Sequence, residues 1–117
     1  MSNVVMEKSL DFAVRCVKLY NYLREERHEY VLSKQMVRSG TSIGANISES
    51  QGAQSSPDFI AKLHVSLKEV RETGYWFLVL YRADYITEKE YNSVNADLDE
   101  LIALLTSILK STKVNAS

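Results

Sequence analysis

Arg38-Ser39-Gly40-Thr41-Ser42-Ile43-Gly44-Ala45-Asn46-Ile47-Ser48-Glu49-Ser50 decides how this chain is read. Two glycines, three β-branched residues and four serines crowd into a stretch whose flanks are strongly helical. A phosphate-cradling loop would need a glycine-rich turn ending in Gly-Lys-Ser/Thr after a strand. No lysine follows either glycine here, and no strand pattern precedes them. The glycine spacing and βαβ setting of a dinucleotide fingerprint are missing as well. A helix fits. Gly40 and Gly44 are four apart and share a face, while Ile43 and Ile47 carry an apolar stripe through the segment. Each glycine costs about 1 kcal/mol against alanine in a helix. That cost makes sense if the absent side chains let another backbone come close, as small-residue pairs do between membrane helices.

Outward from that stretch the chain reads as four helices. The first runs from about Asn3 to Arg27. Met6, Leu10, Ala13, Val17 and Tyr20 mark one stripe, and Phe12, Cys16, Leu19 and Leu23 a second beside it. Together they are wider than a two-helix seam requires, which points to a further helix or another subunit. A charged break, Glu25 to Glu29, separates it from a second helix over about Tyr30 to Gln51, with Leu32, Met36, Ile43 and Ile47 toward the core. Gly52 reads as its stop, in the left-handed conformation.

Ser55-Ser56-Pro57-Asp58 carries a serine cap, an early proline and an acid for the helix dipole. The third helix then extends to Ala83 or Asp84 with a core stripe of Phe59, Leu63, Leu67, Val70, Gly74, Phe77 and Tyr81. Thr87-Glu88-Lys89-Glu90 fits a capping box. A fourth helix follows to about Ser111, with Tyr91, Val94, Leu98, Leu101, Leu105 and Ile108 inward and Ile102 and Leu109 flanking. The tail Thr112 to Ser117 is expected to fray. Short connections between long helices make neighbours antiparallel. The expectation is one all-α domain over residues 1–117, an antiparallel up-down-up-down four-helix bundle.

Composition agrees and narrows the function. The chain has 117 residues, one proline, four glycines and a formal net charge of −1, unlike a strongly basic nucleic-acid domain. Cys16 is its one cysteine, so there is no intrachain disulfide and no cysteine cluster for zinc. It reads as a small buried hydrophobe. Glu7, Lys8 and Asp11 interrupt any signal-peptide core, and no apolar run nears the roughly 20 residues of a membrane span. A cytoplasmic protein without membrane contact is expected.

Gln35, Arg38, Ser42, Asn46 and Glu49 recur at three and four on the second helix, as a solvated ridge or a partly buried polar seam. A hairpin turning near Ala53-Gln54 sets Arg38 level with Glu69 and Glu72, and Glu49 level with Lys62. A turn near His28 sets Glu49 level with Lys8. We therefore expect Arg38 to pair with Glu69 or Glu72, and Glu49 with Lys8 or Lys62. Gly40, Gly44 and Gly74 are read as close-packing positions.

No residues assemble into a reaction centre by pattern. His28 reads as a loop residue and His64 as a surface one, with no ligand spacing. Glu69 and Glu72 share a helix face, as in a di-iron bundle, but lack the histidine such sites use. Neither metal nor cofactor is expected, nor enzymatic activity. Arg15, Lys18, Lys62, Lys68, Arg71 and Arg82 are candidates for nucleic-acid contact, interspersed with acids. Of Tyr75, Trp76, Tyr81 and Tyr85, most belong to the core. Tyr75 and Trp76 cannot share one core stripe, which leaves one for a subunit contact, where aromatics are favoured.

Glu7-Lys8-Ser9, Phe12-Ala13, Gln35, the run from Arg38 to Ile47, Asp58-Phe59, Lys68-Glu69 and Glu72-Thr73-Gly74-Tyr75-Trp76 resemble the bacterial four-helix bundle family. That family is also called ribosomal-protein-like, because some members are encoded by intervening sequences within 23S rRNA genes. A related branch contains accessory proteins of diversity-generating retroelements. The resemblance spans nearly the whole chain, and Arg-Ser-x-x-Ser-Ile-x-x-Asn-Ile is its most specific part. It implies an antiparallel four-helix bundle assembled as a homopentameric ring, association with RNA or a nucleic-acid enzyme, and no catalytic residues. One departure is charge: the retroelement proteins are basic, and this chain is near neutral.

Overall fold

The computed structural model describes residues 4–116, with side chains as far as Thr112. Four helices follow one another: α1 Val4–Glu25, α2 Leu32–Ser50, α3 Ser56–Arg82 and α4 Glu88–Ala116. α1 packs on α2, α2 on α3 and α3 on α4, and α4 closes back on α1. This is an all-α four-helix bundle, 49 Å long and 22 by 19 Å across.

The ends are set by local chemistry. Ser55 is extended at φ −158° and its hydroxyl accepts from the Asp58 amide, with Pro57 in the first turn. At α4, the Thr87 amide donates to Glu90 Oε1 at 2.8 Å and the Glu90 amide to Thr87 Oγ1 at 3.1 Å, a complete capping box.

Three helix ends differ in detail from expectation. α2 ends at Ser50 with Gln51 as its cap, as expected to within a residue, but Gly52 just beyond is not left-handed. Among the described residues the left-handed positions are His28, at φ 54°, and Asp84, at φ 66°. Asp84 ends α3 through backbone bonds from Tyr85 N to Leu80 O and Asp84 N to Tyr81 O, a Schellman-type closure without glycine. α4 continues through the tail expected to fray, as far as Ala116. Asn3 and Ser117 lie outside the described residues.

The start of α2 came without a recognised signal. Glu29 supplies it. Its carboxylate accepts the amides of Val31, Leu32 and Ser33 at 3.1, 2.9 and 2.6 Å, and Ser33 Oγ donates to the Glu29 carbonyl. Burial pushes the Glu29 carboxyl up, but the bonds from the Leu32, Ser33 and Val31 amides outweigh it and leave it below the usual carboxylate range.

The core is one cluster drawn from all four helices, with Phe12 edge-on to Phe77 and Met36, Ile43, Ile47, Leu80 and Leu105 fully enclosed. On α1 the second stripe, Phe12, Cys16 and Leu23, is the buried one. From the first stripe Leu10 and Val17 face outward, and Met6, Ala13 and Tyr20 lie half-covered at the flank. Phe12 and Cys16 lie in a second turn-to-turn row a little over a third of a turn away from Leu10 and Val17. A bundle partner on either side can bury only one of the two.

Candidate functional site

The glycine-serine stretch is continuous helix. Its glycines face α1. A Cβ on residue 40 would stand 2.5 Å from Cys16 Sγ and 3.2 Å from Cys16 Cβ. One on residue 44 would meet Ser9 Oγ at 3.2 Å and the Ser9 backbone oxygen at 3.4 Å. At Gly44 both the side chain and the backbone of Ser9 crowd the place a Cβ would take. Gly74 departs from this reading: a Cβ there would meet Leu98 Cδ1 at an ordinary 3.6 Å, so α3 and α4 leave room for a methyl group.

The other side of α2 faces α3 through hydroxyls. Ser66 Oγ donates across to the Ile43 carbonyl at 2.9 Å. The Thr73 and Ser39 hydroxyls lie 2.9 Å apart, and each also reaches a carbonyl of its own helix. Ser9, Ser33 and Ser50 are buried as well, and each is bonded to a backbone carbonyl. No described buried side-chain polar atom lacks a partner. This is the polar seam of the fold, and it is not the ridge that the sequence reading singled out.

Of that ridge only Arg38 crosses between helices. Its guanidinium meets Glu69 at 3.5 Å and Glu72 more closely. Glu72 also accepts the Trp76 indole N–H at 3.1 Å. The Trp76 indole, with the Arg38 guanidinium next, holds the Glu72 carboxyl below its ordinary value. Ser42 and Asn46 bond back within α2, to the carbonyls of Arg38 and Ser42. Gln35 and Glu49 point to solvent. Glu49 pairs with neither Lys8 nor Lys62, because Lys8 is engaged by Glu100 on α4, at 3.4 Å. The hairpin arithmetic set the height of Glu49 but not its azimuth, which points away from both lysines.

The basic candidates do not form one patch. Arg15 spans α1 to α4, on Asp97 at 2.6 Å and on Ser93. Its charge is thereby shared with Asp97 across the bundle. Lys62 is half-buried and Lys18 lies apart, on the rim of a cavity of about 260 Å³ between α1 and α4. Lys68, Arg71 and Arg82 share the outer face of α3, all exposed. Trp76 turns to α2, Tyr81 stacks on Tyr91, Tyr85 lies under Arg27, and Tyr75 faces solvent.

Burial pushes the Cys16 thiol up to about 12, which leaves it a packed hydrophobe. Among the described residues no three His, Cys, Asp or Glu side chains converge as metal ligands. Nor is any described helix long and apolar enough to cross a membrane.

A family model described as 23S rRNA-intervening sequence protein matches residues 1–107. The chain belongs to this 23S rRNA-intervening sequence protein family. No curated protein matches it. Among solved structures it is similar to a protein with unknown function from the S23 ribosomal protein family of Bacteroides thetaiotaomicron VPI-5482. The two are 56% identical with a TM-score of 0.90, over 92% of this chain and 99% of that one.

In this member of the 23S rRNA-intervening sequence protein family, sequence reasoning missed Ser39, Ser66, Thr73 and Glu29. A signal existed for the first three. Ser39 lies between Met36 and Ile43 on the inward arc of α2, and Ser66 and Thr73 are seven apart beside Leu63, Val70 and Phe77. Hydroxyls at core spacing were passed over for the longer charged side chains.

Proposed function

We propose that this protein is a non-enzymatic interaction protein that works as a homo-oligomer, a ring of five chains joined through the outer face of α1. The observation carrying this reading is the apolar row left uncovered there. Leu10 is 62% exposed, Val14 47% and Val17 42%. Their spacing of four and three places them on one strip, with half-covered Met6, Ala13 and Tyr20 at its edge. A strip of this kind on a soluble bundle marks a contact surface. Beside it α2 offers the short side chains of Thr41, Ala45 and Ser48, which admit a neighbouring helix closely. The number five rests on the family resemblance.

Sedimentation velocity on the full chain tests this. The expected species has about five times the 13.3 kDa chain mass, and Leu10→Glu with Val17→Glu reduces it to monomers that keep their helical circular dichroism. A wild-type chain that sediments as a monomer at micromolar concentration overturns the reading.

A further inference from the structure

The outer face of α3 carries a second row that the α1 interface does not use. His64, Lys68, Arg71, Tyr75, Leu78 and Arg82 are spaced by four, three, four, three and four. They therefore form a nearly straight strip, and all six are exposed. From Lys68 to Arg82 the strip is about 21 Å long at 1.5 Å per residue. A helix-packing seam would place apolar residues at this spacing. Here four of the six side chains are cationic or imidazole.

The strip itself contains no acid. α3 contains three acids, Asp58, Glu69 and Glu72. Glu69 and Glu72 lie on the α2 side under Arg38, and Asp58 sits in the first turn, where its carboxylate accepts the Gln54 amide. No ion pair among the described residues engages Lys68, Arg71 or Arg82. Tyr75 is 59% exposed between these cations, braced edge-on by Trp76 at 5.1 Å between centroids. Trp76 is itself fixed by Glu72. Below it, Leu78, Val79, Arg82 and Ala83 line a shallow groove of about 390 Å³.

We infer that this strip is a binding track for single-stranded nucleic acid, with Lys68, Arg71 and Arg82 on phosphates and the Tyr75 ring as a platform for an unpaired base. Cations alternating with an exposed, braced aromatic suit a flexible strand whose bases are free to stack. A duplex keeps its bases stacked internally and would have no use for Tyr75. Leu78 and the groove beside Arg82 extend the apolar surface for a neighbouring base. The track is independent of the α1 contact and stands or falls separately from it.

Fluorescence anisotropy of a labelled oligouridylate of about 20 nucleotides, titrated with the full chain, tests the track. Three phosphate contacts predict a log-log salt slope near −2, hence roughly 15-fold weaker binding between about 50 and about 200 mM salt. Lys68→Gln with Arg71→Gln and Arg82→Gln should flatten that slope and remove most of the affinity. Tyr75→Ala should weaken binding about tenfold with the slope unchanged. Lys34→Gln with Lys89→Gln, on other faces, should leave it intact. Circular dichroism confirms that each variant is folded. No binding by the wild type, equal binding of a duplex of the same length, or an unaffected Tyr75→Ala variant each overturns the proposal. So does a control double variant that loses as much as the triple one. Sedimentation of Tyr75→Ala separates the two surfaces: a change in oligomer size would make the strip a subunit contact and overturn the track.

Discussion

Gly40 and Cys16 meet so closely that a Cβ on residue 40 would stand 2.5 Å from the Cys16 sulfur. Cys16 is 1% exposed, enclosed by the core on its remaining sides. α1 and α2 are thus seated at a spacing that leaves no volume for a methyl group at this level. The lone cysteine and the first glycine are one packing feature.

Gly40→Ala should destabilise the fold. The helix gains about 1 kcal/mol from alanine, but overpacking a filled core costs about 1–3 kcal/mol. Net destabilisation of about 1 kcal/mol is expected in urea unfolding. Cys16→Ala removes the obstructing sulfur, so adding Gly40→Ala to that variant should be near neutral. An equal loss from Gly40→Ala in both backgrounds would show that the contact does not decide it.

At Gly74 the same substitution should have the opposite sign. The nearest atom to an added Cβ is at an ordinary contact distance. Gly74→Ala should raise stability by about 0.5–1 kcal/mol through helix propensity and a less flexible unfolded chain. A lowered urea midpoint would mean that Leu98 cannot accommodate the methyl group.

The Arg38 bridge is modest in energy despite its geometry. The Arg38 side chain is 52% exposed, so solvent screens the pair. A double-mutant cycle of Arg38→Met and Glu72→Gln should give a coupling below about 1 kcal/mol, shrinking with added salt. Coupling several times larger, or insensitive to salt, would contradict the screened pair described here.

Glu29 gives the stability a specific pH dependence. Its folded carboxyl lies below its unfolded value. Its contribution is therefore present above the unfolded value of about 4.3 and is lost as pH falls through the folded one. Glu29→Gln should cost about 1–2 kcal/mol near neutral pH. The gap between the two proteins should narrow steadily as pH falls below the unfolded value. A gap that does not narrow there would assign the loss to packing and not to the charged cap.

Much of the fold was legible because its determinants are local. Ser55-Ser56-Pro57-Asp58 and Thr87 to Glu90 state their helix starts in side chains that bond amides three residues away. Arg38 with Glu69 and Glu72 followed from hairpin arithmetic, since both helices run straight between one short turn. Glu49 followed from the same arithmetic and failed, because level along an axis does not fix direction around it. Gly52 had the residue type of a left-handed stop, yet the two left-handed positions fell to His28 and Asp84. There backbone bonds around the helix end hold the conformation at residue types that tolerate it.

The sequence by itself determined four helices, the caps that start α3 and α4 and the apolar rows that seal the core, because periodicity and capping act within a few residues. Only the tertiary structure decided which of the two α1 rows is buried and that Gly40 abuts Cys16 while Gly74 leaves room for a methyl group beside Leu98. It also revealed that short buried hydroxyls join α2 to α3 beside the Arg38 bridge. Those outcomes depend on the azimuth and distance of one helix against another, which summed packing fixes and no single segment encodes.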